Sequence, residues 1–335
     1  MISLFRLIIV TIFSTAFVFF GGLAHAQDFP DVIAGKVINN SFMGSSVEGS
    51  KVSLYGKDLN KEFLIQEQLL GEDGLFEFND LQISPVARYF VSVEFLGVFY
   101  VEEVVNNDGS WPEEILINVY ETTSNEDVIE ALSASILFSG VNKDLNRISV
   151  MEIVRLSNSS QLTYIPGEGP MDLIRFGLPE GANSLNVDSG IVGSDFIQVD
   201  KGFALVAKIP PGEHEIAYTY FLNYQDARLD FTHSLRYGAE ILRVLIHEDD
   251  GNIDSREFDS PQLTDIGGQN YFVVEAKEIP KGQNISVNIF NLPENSYLQK
   301  SFIQFKSIRY EFFPVSILLL LLAGFLVFGY FKSDS

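Results

Sequence analysis

Tyr89-Phe90-Val91-Ser92-Val93-Glu94-Phe95-Leu96 decides the fold. Tyr89, Val91, Val93 and Phe95 hold one phase of a period-two pattern, and Phe90, Ser92, Glu94 and Leu96 hold the other. That alternation predicts a half-buried β-strand. Working outward, 71–78 (Gly-Glu-Asp-Gly-Leu-Phe-Glu-Phe) joins the turn chemistry of Asp73-Gly74 to a strand with Phe76 and Phe78 on one face. In 47–55, Val52, Leu54 and the adjoining Gly56 alternate against Lys51, Ser53 and Tyr55. A strand over 32–37 opens the unit and 115–120 closes it. Residues 31–120 therefore predict a small antiparallel β-sandwich.

Beyond it, 121–127 (Glu-Thr-Thr-Ser-Asn-Glu-Asp) is polar and aperiodic, which predicts a linker. The region 128–306 returns to alternation, with strands expected over 135–139, 146–157, 202–209, 215–224, 240–247, 271–276 and 284–292. Only 125–132 has a helical flavour, with Asn125 as the cap. Two joints look alike: Ile209-Pro210-Pro211-Gly212 and Ile279-Pro280-Lys281-Gly282. Such I-P-x-G corners are common in immunoglobulin-like sandwiches. They fit one larger sandwich or two short ones, and two, split near 232–237, is the expectation.

A family resemblance rests on four motifs: G-x-V (Gly35, Val37), V-x-G-x-x-V-x-L (Val47, Gly49, Val52, Leu54), D-G-x-F-x-F (Asp73, Gly74, Phe76, Phe78) and Y-x-V-x-V (Tyr89, Val91, Val93). Their order resembles the carboxypeptidase regulatory-like domain over about a quarter of the chain. The resemblance implies a seven-stranded, transthyretin-like sandwich, a carbohydrate-binding-like fold. The chain departs from the family at its usual P-P-G-x-Y turn, having Ser84-Pro85-Val86-Ala87-Arg88-Tyr89 instead. The family signature is structural and implies no activity. No H-x-x-E or H-E-x-x-H occurs that would supply the metal ligands of the zinc peptidases from which the domain takes its name. The layout beyond, with Leu178-Pro179-Glu180-Gly181-Ala182 and with Pro210-Pro211-Gly212-Glu213 before Tyr218 and Tyr220, is similar to a loosely defined group of bacterial exported proteins. That group carries no agreed activity.

Two apolar segments bracket this β-rich region. Arg6, the stretch from Leu7 to Leu23 and the small residues Ala24 and Ala26 predict a signal peptide over 1–26. The segment 312–331 has the length, ~20 residues, that a helix needs to cross a bilayer. Pro314 falls in its first turn, and aromatic residues (Tyr310, Phe312, Phe313; Tyr330, Phe331) sit at both ends. Lys300, Lys306 and Arg309 before it oppose the positive-inside bias, and a translocated signal peptide outweighs them. The expectation is a single-pass cell-membrane protein, contacting the lipid bilayer through 312–331. Its N-terminus and ectodomain lie outside, and a tail, 332–335, lies in the cytoplasm. The fold class expected is thus all-β, tandem β-sandwiches (transthyretin-like, then immunoglobulin-like) followed by one transmembrane helix.

Composition narrows the chemistry. A net charge of −23 repels phosphate backbones, which disfavours nucleic acid as a partner. The absence of cysteine excludes disulfides, thiolate metal sites and cysteine nucleophiles. Asp250, Asn252 and Asp254 have the alternate spacing of a calcium loop. Ser255 stands where that loop needs Gly, however, and Pro261 where it needs Glu, so a hairpin turn on Asp250-Gly251 is favoured over calcium. His214, His233 and His247 lie in no catalytic motif, and no G-x-S-x-G elbow exists. They read as exposed strand-edge residues. Trp111 reads as packed in the core or at its edge, and Tyr218, Tyr220 and Tyr224 as an exposed row. No catalytic residue and no cofactor is assigned.

The function expected is binding or structural support in the cell envelope without catalysis, with a polysaccharide or an envelope protein as partner. An accessory subunit of an envelope membrane complex is the alternative, followed by a carboxylate-based hydrolase of envelope polymers.

Overall fold

The computed structural model describes residues 30–58, 61–82, 84, 87–104, 111–167, 169, 172–255 and 257–295. The expected signal peptide (1–26), transmembrane helix (312–331) and tail (332–335) lie outside the described residues. Among the described residues no helix is long and apolar enough to cross a membrane. The fold is all-β, in several sheets, and divides into two compact units. Among the described residues the first holds 30–39 and those of Ser45–Val119, and the second Asn40–Gly44 and those of 120–295.

Among its described residues the first unit has seven strands: β1 (Ile33–Asn39), β2 (Lys51–Lys57), β3 (Glu62–Leu69), β4 (Leu75–Phe78), β5 (Arg88–Phe95), β6 (Val98–Glu103) and β7 (Ile115–Val119). They form a three-stranded sheet, β4-β1-β7, and a four-stranded sheet, β3-β2-β5-β6. β1 runs parallel to β7 and every other pair is antiparallel. The phases read from the sequence face the core: Val52, Leu54, Val91 and Val93 are fully buried, as are Phe76, Phe78, Ile117 and Val119. Asp73-Gly74 passes the chain from the four-stranded to the three-stranded sheet. Gly74 takes φ +68°, and a Cβ there would lie 2.4 Å from the Val37 carbonyl oxygen, so glycine is required. Trp111 is half-buried with its ring centroid 6.1 Å from that of Tyr89.

The second unit is built on a seven-stranded sheet, ordered β13-β16-β10-β9-β18-β21-β20. Its strands are β9 (Ile129–Asn142), β10 (Arg147–Asn158), β13 (Asn183–Ser189), β16 (Gly212–Asn223), β18 (Ala239–His247), β20 (Gln262–Ile266) and β21 (Gln269–Ile279). Only β9 and β18 pair in parallel. Two three-stranded sheets contribute to the same core. One orders β12 (Ile174–Gly177), β15 (Gly202–Val206) and β14 (Asp195–Val199) as β12-β15-β14. The other orders β17 (Arg228–Leu235), β22 (Gln283–Phe290) and β19 (Asn252–Asp254) as β17-β22-β19. A parallel pair, β8 (Glu121–Thr123) with β11 (Leu162–Tyr164), completes the unit.

Three expectations are corrected. The segment 121–127 is not a linker: it forms β8 and enters a 3-10 turn over Glu126–Val128. Asn125 does cap that turn, its side chain accepting from the Asp127 N–H, but β9 begins at Ile129 and no longer helix forms. The region beyond residue 128 is one unit rather than two sandwiches split near 232–237. Phe231 and Leu235 of β17 belong to the same buried cluster as Ile136, Val150 and Val244 of the large sheet. The two I-P-x-G joints explain the apparent repeat. One joins β15 to β16 and the other β21 to β22, so each carries the chain between a three-stranded sheet and the seven-stranded one.

Asp250-Gly251 likewise makes no hairpin. β19, which follows it, pairs with β22 and not with β18.

Candidate functional site

β10 reads Arg-Ile-Ser-Val-Met-Glu-Ile-Val-Arg-Leu-Ser-Asn, and its inward phase is Ile148, Val150, Glu152, Val154 and Leu156. Glu152 thus stands where the pattern requires an apolar residue, and it is 0% exposed. A lone carboxylate at such a depth costs several kcal/mol. The neighbouring strands supply its partners. Tyr218 of β16 lies directly opposite Glu152, and Tyr220 lies opposite Val150, one diagonal away. The Tyr218 hydroxyl donates to Glu152 Oε2 at 2.7 Å, and that of Tyr220 to Oε1 at 2.6 Å.

The third partner comes from another sheet. In β17 the inward phase is Phe231, His233 and Leu235, and His233 Nε2 lies 3.2 Å from Glu152 Oε2. A carboxylate–imidazole contact therefore links the seven-stranded sheet to β17-β22-β19. His233 also carries a buried Nδ1 that meets no hydrogen-bonding atom of the protein.

Each group modifies the others. Burial pushes the Glu152 carboxyl up, but the charge and hydrogen bond of His233, with the two tyrosine hydroxyls, outweigh it and hold the carboxyl below its ordinary value. For His233 burial works downward, and the Glu152 charge and hydrogen bond reverse it, so the imidazole sits above its ordinary value. Burial and the Glu152 charge raise Tyr218 and Tyr220 well above theirs, so both remain hydroxyl donors. The arrangement holds a carboxylate against three donors, two tyrosine hydroxyls and one imidazole nitrogen.

A second network lies beside it. Arg236 reaches both Glu126 oxygens at 3.0 Å as a fork, and the Tyr237 hydroxyl donates to Oε1 at 2.6 Å. Tyr237 in turn accepts from the Arg175 backbone N–H at 2.9 Å. Burial raises the Glu126 carboxyl, and the bonds from Arg236 and Tyr237 more than offset that, leaving it lowered.

The residues singled out from sequence fare differently. Tyr218, Tyr220 and Tyr224 are buried, at 2%, 1% and 2% exposure, and form no exposed row. Their phase of β16 continues from Ile216 through Leu222 toward the core, and hydroxyls bonded to Glu152 or to the Pro293 carbonyl make their burial tolerable. His233, on edge strand β17, is buried rather than exposed. His214 is half-buried with Nε2 2.8 Å from the Pro210 carbonyl oxygen. The ring of His247 packs edge-on against Tyr271 at 5.3 Å.

Of the calcium-loop residues, Asp250 closes a turn through its N–H to the His247 carbonyl at 3.0 Å, and burial pushes its carboxyl up. Asn252 and Asp254 lie in β19, Asn252 bonded to Asn291 at 3.3 Å and Asp254 exposed. Among the described residues no group of three or more His, Asp or Glu side chains is gathered as a metal ion would need.

Glu152 was missed by the reading of motifs. Its signal was a single acidic residue in the apolar phase of Ile148-x-Val150-x-Glu152-x-Val154-x-Leu156.

No known family model matches the chain. No curated protein is similar to it. Among solved structures, parts of the chain are similar to an M1 zinc metallopeptidase from Deinococcus radiodurans, at 8% identity and a TM-score of 0.29 over 48% of this chain and 42% of that one. A variant of that peptidase bound to a Tyr-Ser-Ala substrate gives the same identity and coverage with a TM-score of 0.30. The chain spans about two fifths of the length of those structures. Likenesses this distant carry no inference about its activity.

Proposed function

We propose that this chain is a membrane-anchored, extracytoplasmic β protein that binds or positions a polysaccharide or protein of the cell envelope, without catalysis. In this reading 1–26 exports the chain, 312–331 anchors it, and the first unit is a carboxypeptidase regulatory-like, transthyretin-like sandwich. Seven strands in sheets of three and four support that assignment. The second unit is a larger, immunoglobulin-like sandwich turned at its two I-P-x-G corners.

One observation carries the non-catalytic part. The buried carboxylate Glu152 has both oxygens taken by the protein's own donors, so its chemistry is spent on holding strands together.

The test uses the full chain mixed with insoluble envelope polysaccharide. Retention on the matrix with no soluble product is the expected result. Release of sugar product, abolished by amide substitution of one carboxylate, would support a hydrolase and overturn the reading. So would a reproducible larger particle after gentle detergent extraction that disperses when 312–331 is replaced by an unrelated helix, which would support the accessory-subunit role.

A further inference from the structure

His233 is built into the core in an uneven way. Nε2 is committed to Glu152 at 3.2 Å, while Nδ1 is buried and unanswered by any protein atom. The imidazole also lines a cavity of about 20 Å³, whose walls include Ala134, Phe176, Tyr218, Ser234 and Tyr237. One water needs roughly 10–15 Å³ of such volume and a few polar neighbours. The Ser234 side chain lies on the exposed phase of β17, so the polar neighbours on this wall are backbone groups of residues 234–238.

We propose that this cavity is a one-water site, the water accepting from His233 Nδ1–H, and that the imidazolium held between this water and Glu152 is a proton-controlled lock joining β17 to the seven-stranded sheet.

The chemistry follows from what each nitrogen can do. A neutral imidazole protonated on Nε2 still donates to Glu152, but it brings no charge, and the carboxylate then lies in the core without a counter-ion. The second proton supplies that charge and requires an acceptor at Nδ1, where a core without water has none. A bound water removes the obstacle.

The surroundings permit the charged state. From β10 the imidazole meets Glu152, whose other partners are the hydroxyls of Tyr218 and Tyr220 from β16. The turn after β17 places Arg236 and Tyr237 on the cavity wall, and the Arg236 charge is answered by Glu126. β22 presents Ile285 opposite His233, β9 contributes Ala131 and Ala134, and β12 contributes Phe176, none of them ionisable. The upward direction for His233 agrees with this balance.

Nitrogen NMR of the full chain, labelled at its four histidines and assigned with His233→Gln, tests the lock. The expected spectrum at pH 7 has both His233 ring nitrogens at imidazolium shifts, with a titration midpoint above that of a free imidazole. Cross-relaxation from Hδ1 to a long-lived water is expected alongside. Glu152→Gln should carry the midpoint below that of a free imidazole, because burial persists after the attraction has gone. A neutral ring at pH 7 in the unmodified chain overturns the proposal even if Glu152→Gln fails to fold. An unmoved midpoint in a folded Glu152→Gln variant overturns the lock, and a protonated Nδ1 with no water contact overturns the one-water site.

Discussion

The two units solve the same burial problem with different chemistry. Among the described residues of the first, buried polar side chains are limited to Ser53 and Ser92, and the inward positions are mainly Val, Leu, Ile, Phe and Tyr. In the second, Glu152, His233, Asn158 and Thr163 sit as deep as the aliphatic residues around them. Apolar alternation alone closes a seven-strand unit. The larger unit, with three sheets meeting over one core, adds hydrogen-bonded and charged cross-links. Directional bonds of this kind fix which strand faces which, where apolar contacts are more permissive.

The largest effect that would sharpen this contrast is expected from Glu152→Ala. It leaves His233 without its counter-charge and two tyrosine hydroxyls without an acceptor, at a cost of about 3–5 kcal/mol. Denaturant unfolding measures the cost, and hydrogen exchange should localise it to β10, β16 and β17. The counterpart in the first unit is Leu54→Ala, which opens a cavity in an apolar core and should cost about 2–5 kcal/mol, read by exchange in β2 and β5.

These two penalties should part company with pH. The lowered Glu152 carboxyl contributes stability above the ~4.3 of an unfolded glutamate and loses it as pH falls through its folded value. The raised His233 contributes below the ~6.5 of an unfolded histidine and loses it as pH rises through its folded value. The Glu152→Ala penalty should therefore be greatest between those limits and shrink on both sides. The Leu54→Ala penalty should stay flat across the same range. Parallel profiles for the two variants would break the comparison.

The smallest effect belongs to the surface. Arg243 pairs with Glu275 at 2.9 Å, with side chains 45% and 37% exposed, and Arg243→Ala should cost under about 1 kcal/mol by thermal unfolding.

The same contrast explains what could be read from the sequence. Strands β1, β2, β4, β5 and β7 were legible because one phase of each is apolar. So were β9, β10, β15, β16, β18, β21 and β22. Edge strands without a buried face were not. β14 and β20 are exposed along their whole length, and with no buried face they leave no alternation to detect. β17 was mistaken for a boundary because His233 interrupts the apolar phase of Phe231 and Leu235. Glu152 was invisible for a related reason: a charged residue in a strand reads as solvent-facing until its register is known. Asn158 adds a third case. It lies in the sequon Asn158-Ser159-Ser160, yet its amide is buried and donates to the Leu162 and Ile209 carbonyls at 2.8 and 2.9 Å. Sequence shows which residues alternate, and only the pairing of distant strands shows which charges meet.

A double-mutant cycle of Glu152→Gln and His233→Gln near pH 6, followed by hydrogen exchange in β10 and β17, tests the link between the sheets most directly. A coupling of about 1.5–3 kcal/mol is predicted for a buried, hydrogen-bonded charge pair. Penalties that add to within ~0.5 kcal/mol would contradict it.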